Sequence, residues 1–161
     1  MIIAMSVPVH VPVLLDEVIA GLQAQRGGYF VDCTVGLGGH AAAILEKISP
    51  LGRLLGIDAD PEAIRISQDK LSAYGEAVTL VNDNFVNLEA ICRRYHFHPV
   101  DGILFDLGVS SLQLDTAERG FSFHLDAPLN MRFDPGQGLT ASDIVNSFSE
   151  QELAKLIEKY G

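Results

Sequence analysis

The sequence predicts an α/β fold assembled from parallel β–α–β units, and three observations predict it. Short runs rich in β-branched and aromatic residues alternate with amphipathic helical stretches along the first two thirds of the chain. Three of those runs close on a carboxylate, at Asp32, Asp58 and Asp106. The first run is followed at once by the glycine-rich turn Gly36-Leu37-Gly38-Gly39, which opens a helix. In parallel sheets of this kind the carboxyl ends of the strands line the ligand crevice, so the three aspartates are expected on one rim.

Each element has its own signal. A first helix is expected from Pro12 to about Gln23, with proline at its start, Val13, Leu14, Val18 and Leu22 apolar, and Gly27-Gly28 beyond it. Tyr29, Phe30 and Val31 form the first strand, ending at Asp32, and a helix follows over 41–48. Residues 53–58 read as the second strand, and Asp60-Pro61 starts a helix carrying Ala63, Ile64 and Leu71. Residues 78–81 are a third strand. Phe85, Leu88, Ile91, Cys92 and Tyr95 share one helix face. Residues 100–105 are the fourth strand. From 115 to 139 there is no period, and the segment reads as a long ordered loop. Thr140 with Asp143, and Ser149 with Glu152, cap two helices, the last with Leu153, Leu156, Ile157 and Tyr160 on one face. The expected division is therefore 1–114, the ligand-binding sheet, and 115–161, a loop with the first helices of a second region.

Composition narrows the function classes. The 161 residues are 48% hydrophobic and 20% charged, a globular balance with enough chain for a core. The net charge is −10, with −4 over residues 1–100 and −6 over 101–161, so neither part carries a basic stripe for phosphates. Cys33 and Cys92 stand far apart, without metal-ligand spacing, which excludes a disulfide scaffold and predicts no metal. The apolar N-terminus lacks a basic leader and is broken by Asp16-Glu17, and no apolar run reaches the ~18 residues of a membrane span. A soluble, cytoplasmic protein with no membrane association is expected. Four strands leave an open sheet edge, and the last helix has an uncovered apolar face. A fragment, a partner or a second copy of the chain (a homodimer) are the readings of that imbalance.

The motifs point to a nucleoside. Residues 36–41 satisfy G-x-G-x-x-A, the form used where backbone approaches a ligand at a helix N-terminus. Asp58 follows Gly36 by 22 residues, where a carboxylate can accept hydrogen bonds from ribose hydroxyls. Asp32 separates the cofactors. An acid closing the first strand, followed by residues 34, 36 and 38 at alternate positions, fits S-adenosylmethionine, whose cationic methionine end an acid can organise. A NAD-dependent oxidoreductase remains the alternative that the glycines and Asp58 alone would allow.

Longer stretches carry a resemblance. His10-Val11-Pro12-Val13-Leu14-Leu15-Asp16-Glu17-Val18, then 32–40 (DCTVGLGGH), 101–111 (DGILFDLGVSS) with Gln113-Leu114-Asp115, and 118–123 (ERGFSF) resemble the MraW-type family of bacterial small-subunit rRNA cytosine-N4 methyltransferases. The similarity runs in order through nearly the whole chain. It implies a Rossmann-like class I S-adenosylmethionine-dependent methyltransferase fold, acting on a cytidine N4 amino group of 16S rRNA within the small ribosomal subunit. Residue by residue, it implies cofactor contacts from Gly38, Gly39 and His40, ribose binding by Asp58, an adenine neighbour in Phe85, and further contacts from Asp106 and Gln113. It also implies that family members run to about twice this length, so that the chain ends inside a helical insertion. A truncated, non-catalytic S-adenosylmethionine-binding fragment is thus the second reading.

One departure and one chemical demand complete the picture. Where the family commonly has Asp in a PLDMR segment, this sequence has Asn130. Cytosine N4 is a poor nucleophile because its lone pair is delocalised, and an acceptor for its N–H bonds would localise that pair. Asp106 is placed for such duty, but the resemblance assigns it to the cofactor, and no catalytic residue is named. Phe121 and Phe123 are candidate stacking partners for a splayed-out base, with core packing as the alternative.

Overall fold

A computed structural model describes residues 12–161, so His10 and Val11 of the first motif lie outside the described residues. The chain divides into two compact units, Met1–Leu107 and Gly108–Gly161. The expected boundary, after residue 114, falls seven residues later than this division. The chain leaves the sheet directly after the fourth strand, and the DLGVSS segment turns into a short helix of the second unit.

The first unit is a Rossmann-like α/β layer structure. Its elements are α1 (Leu15–Leu22), β1 (Tyr29–Asp32), α2 (Gly39–Ile48), β2 (Arg53–Asp58), α3 (Pro61–Leu71), β3 (Val78–Asn82), α4 (Leu88–Arg94) and β4 (Gly102–Leu104). All pairings are parallel, in the order β3-β2-β1-β4. The chain steps outward from β1 to β3, then returns to place β4 on the other side of β1. That reversal makes the carboxyl ends of β1 and β4 the switch point, where such sheets open a crevice.

Alternation along the strands divides the core. Phe30 and Leu54 face one side, where Ile44, Leu45 and Ile48 of α2 and Leu71 of α3 bury them, with Ile19 and Leu22 of α1 packed alongside. Val31, Leu55 and Ile57 face the other, against Ile91 of α4 and Phe97. Both faces of β1 and β2 are covered, which is why those strands are continuously apolar. Among the described residues β4 pairs with β1 alone, and Ile103 remains exposed on it.

Three boundaries depart from the sequence expectation. The first helix starts at Leu15 rather than Pro12, because Leu14 takes a left-handed conformation (φ 53°), as does Gln23 at the other end (φ 51°). The helix expected from Phe85 begins as a 3₁₀ turn, Phe85–Asn87, capped by Asn84, and becomes α-helical only at Leu88. The fourth strand is half its expected length. Phe105 and Asp106 lie past its last residue, because the Asp106 N–H donates to the Thr34 hydroxyl (2.8 Å) instead of to a neighbouring strand.

The second unit holds α5 (Ser111–Asp115), α6 (Ala141–Ser147) and α7 (Glu150–Tyr160). Thr140–Asp143 and Ser149–Glu152 form reciprocal capping boxes, as their spacing predicts. Between α5 and α6 the loop is ordered by arginine. Arg119 donates to the carbonyls of Arg132 (3.0 Å) and Phe133 (2.7 Å), and Arg132 donates to Asn130 Oδ1 (2.8 Å) and to the Gln137 carbonyl. Gly120 is required here, since a Cβ would sit 2.4 Å from the Pro128 carbonyl oxygen. No helix among the described residues is long and apolar enough to cross a membrane.

Candidate functional site

The three strand-end aspartates occupy different positions on one rim. Asp32 ends β1 and is 1% exposed. Its Oδ1 accepts the Thr34 N–H (3.1 Å), while its Oδ2, buried as well, has no hydrogen-bond partner among the described residues. Asp58 ends β2 and is half-buried. Its Oδ2 accepts the Gly36 N–H (2.8 Å) and its Oδ1 the Asp60 N–H (2.9 Å). The acid thus ties the glycine turn to the start of α3, and its remaining lone pairs stay available at the surface. Asp106, beyond β4, is exposed and held by Thr34 through its backbone.

The glycine turn presents backbone donors. Gly38 has φ 74° and occupies the N-cap of α2, and no side chain caps that end. The first N–H groups of α2 therefore lack partners within the helix and are left to water or a ligand. A Cβ on Gly38 would lie 3.4 Å from Leu71 and Ser67, ordinary packing distance, so its glycine is demanded chiefly by the left-handed conformation. Gly39 has a different cause, since a Cβ there would meet Pro12 Cγ at 2.4 Å.

His40 is buried on the first turn of α2, not turned to solvent. Its Nε2 lies 3.0 Å from the Val13 carbonyl, which the late start of α1 leaves outside the helix, and its Nδ1 lies 3.7 Å from Asp106 Oδ2. The ring thus joins the chain before α1 to the acid beyond β4. Phe85 is 40% exposed and makes an edge-to-face contact with Phe105 (5.5 Å), the residue before Asp106. It is a surface aromatic near the strand ends.

Gln113 lies in the second unit, where it is 3% exposed. Its Oε1 accepts the Ser110 N–H (3.1 Å) while its own N–H donates to Ser110 Oγ (3.2 Å), a capping box on α5. The Ser-x-x-Gln spacing is itself a helix-start signal, overlapping the functional motif. Phe121 packs on Phe133 (5.4 Å), whereas Phe123 is fully exposed. Asn130 accepts from the Arg132 side chain through its Oδ1 (2.8 Å). Thr34, read in the sequence only by its spacing after Asp32, accepts the Asp106 N–H and so joins β1 to the segment beyond β4.

The rim is electrostatically one-sided. Burial above all, with Asp58 and Asp106 nearby, pushes the Asp32 carboxyl up to about 7, against the Thr34 N–H that favours its charge. Burial also raises Asp58, although the N–H groups of Asp60 and Gly36 oppose the shift. Burial, with Asp32 beside it, lifts the Cys33 thiol to about 12, so it is an inert core residue. A negative rim next to free helix N–H groups suits a ligand with a polar nucleoside part and a cationic part.

Comparisons with known proteins bear on that chemistry. The profile of the MraW methylase family matches residues 8–161. The ribosomal RNA small subunit methyltransferase H of Dehalococcoides mccartyi is 58% identical over 152 residues, 94% of this chain and 44% of the relative. Its counterpart in Symbiobacterium thermophilum is 49% identical, covering 94% of this chain and 48% of the relative. The chain thus spans a little under half the length of these relatives. Among solved structures, a candidate rRNA methylase from Clostridium thermocellum aligns with a TM-score of 0.52 and 26% identity, over 62% of this chain and 54% of that one. A profile match across nearly the whole sequence, on a sheet of this order, places the chain by descent: it belongs to the MraW methylase family.

Proposed function

We propose that the chain binds S-adenosylmethionine at the rim of β1, β2 and β4, as the cofactor-binding part of an enzyme that methylates a cytidine N4 in 16S rRNA, in the cytoplasm. The observation that carries the reading is the convergence of Asp32, Asp58 and Asp106 beside the uncapped start of α2. The buried, unpartnered Oδ2 of Asp32 is the fit test, since a cationic ligand answers a need the protein leaves open. In this reading Asp58 receives the ribose hydroxyls, Phe85 flanks the adenine, and the N–H groups of Gly39 and His40 meet the ligand's polar groups. Asp106, steadied by Thr34 and His40, completes the set. S-adenosylmethionine supplies a methyl group on a sulfonium whose leaving group is a neutral thioether.

A dinucleotide is the weaker reading, because its anionic pyrophosphate would come to a rim of three carboxylates. The chain's −10 charge leaves little to neutralise phosphates. Grip on rRNA is accordingly assigned to the half of the relatives' length that this chain does not span. The test pairs calorimetric titration of the chain with S-adenosylmethionine and NAD with a methylation assay on small-subunit rRNA beside a full-length relative. Binding of S-adenosylmethionine and not NAD, with turnover by the relative alone, is expected. Preference for NAD would overturn the cofactor assignment, and robust turnover by the chain would overturn the division of labour.

A further inference from the structure

We propose that Asp32 is the charge-selective group of this rim, so that a cationic ligand is taken up with release of the Asp32 proton to solvent and a neutral ligand is not. The inference rests on the S-adenosylmethionine reading and adds to it a proton that the ligand must displace.

Among the described residues none gives Asp32 a counter-charge. One carboxyl oxygen has, among the described residues, a single backbone donor, the Thr34 N–H, and the other is buried with none. An ionised carboxylate in that position forgoes hydration without full compensation. The groups facing it from each packed element are acids or neutral thiols. Asp58 comes from the end of β2, Asp106 from beyond β4, and Cys33 from the next position of its own chain, with Cys92 of α4 behind that thiol. His40, the basic group of α2, lies against Asp106 and its second ring nitrogen against the Val13 carbonyl. These surroundings hold the proton on Asp32 up to about 7, some three units above an ordinary aspartate.

A ligand bearing a sulfonium and an ammonium brings the positive charge that the rim lacks. The Asp32 O–H bond then breaks, its electron pair stays on the carboxylate, and the proton passes to buffer. Nothing is oxidised or reduced. The neutral nucleoside adenosine shares the ribose and the base but offers no such charge, and leaves the proton in place.

Calorimetric titration of the 161-residue chain at pH 7, in phosphate and in Tris, reads this directly, because the two buffers differ widely in ionisation enthalpy. S-adenosylmethionine should release about half a proton at pH 7, a carboxyl of about 7 being half protonated there, and close to a whole proton at about pH 5.5, where the ligand's amine is fully protonated and only Asp32 titrates. Adenosine should release none, and the Asp32→Asn chain should release none with either ligand. Carbon-13 detection of the Asp32 carboxyl in the unaltered chain gives a second readout should the variant fail to fold: the signal should titrate near neutral pH when free and be that of a carboxylate when S-adenosylmethionine is bound. S-adenosylmethionine binding with equal enthalpy in both buffers, or proton release that persists in Asp32→Asn, would overturn the inference and leave the cofactor reading standing. Binding of neither ligand would overturn the cofactor reading itself, and the inference with it.

Discussion

Replacing Asp32 by asparagine should make the free chain more stable, and only above acidic pH. The amide keeps an acceptor for the Thr34 N–H, now 3.1 Å from Asp32 Oδ1, and cannot ionise. In the unfolded chain the carboxyl titrates near its ordinary value of 3.8, whereas the fold holds the proton to about 7. Between those values the unfolded state gives up a proton that the native state retains, so native stability falls as pH rises, and the loss is complete above about pH 7. A shift of roughly three units at 1.36 kcal/mol each sets the size at about 4 kcal/mol. Asp32 is almost wholly buried, so solvent screening removes little of this. Urea denaturation of both chains from pH 4 to pH 9 reads the difference. The two should be nearly equal at pH 4, and the variant should lead by about 4 kcal/mol at pH 8. Parallel stability profiles, or a gap that narrows as pH rises, would refute the reasoning.

Other perturbations probe the rest of the rim and the loop. Gly38→Ala should lower stability by about 1–2 kcal/mol, the cost of a side chain in the left-handed region, and Gly38→Val by more; an unchanged urea midpoint for the valine variant would count against a backbone role. His40→Ala removes the partner of the Val13 carbonyl and should cost about 1–3 kcal/mol, part of it returned in His40→Gln, by thermal melting. A melt unaltered by the alanine would show the ring to be idle in the fold. Arg119→Ala should speed limited proteolysis within residues 120–139 while leaving 29–104 protected, because the carbonyls of Arg132 and Phe133 lose their donor. Equal cleavage rates would assign the loop's order to something else.

Local chemistry made most of the sheet legible. A continuous apolar strand ending on an acid, then glycines, has few ways to fold, and β1, β2 and the start of α2 lie where that pattern puts them. The parallel order follows from the helical length of the crossovers. What sequence reasoning missed depended on non-local contacts or on single backbone angles. The left-handed Leu14 shortens α1 and frees the Val13 carbonyl, and no residue type there announces it. The 3₁₀ turn at Phe85 was hidden because its apolar spacing fits a longer helix, although Asn84 is a readable cap. The burial of His40 needed both Val13 and Asp106, 27 and 66 positions away in sequence. Gln113 was legible in two ways at once, as a family motif and as a helix cap, and the structure gives its carboxamide the cap.

The most direct test of the account is an amide-resolved NMR titration of the nitrogen-15-labelled chain with S-adenosylmethionine. The account predicts the largest shifts at Gly36, Gly38, Gly39 and His40, at Asp58 and its neighbour Ala59, and around Phe85 and Asp106, with the helical amides of α7 unmoved. Saturable shifts clustered away from the carboxyl ends of β1, β2 and β4, or none at all at millimolar ligand, would contradict it.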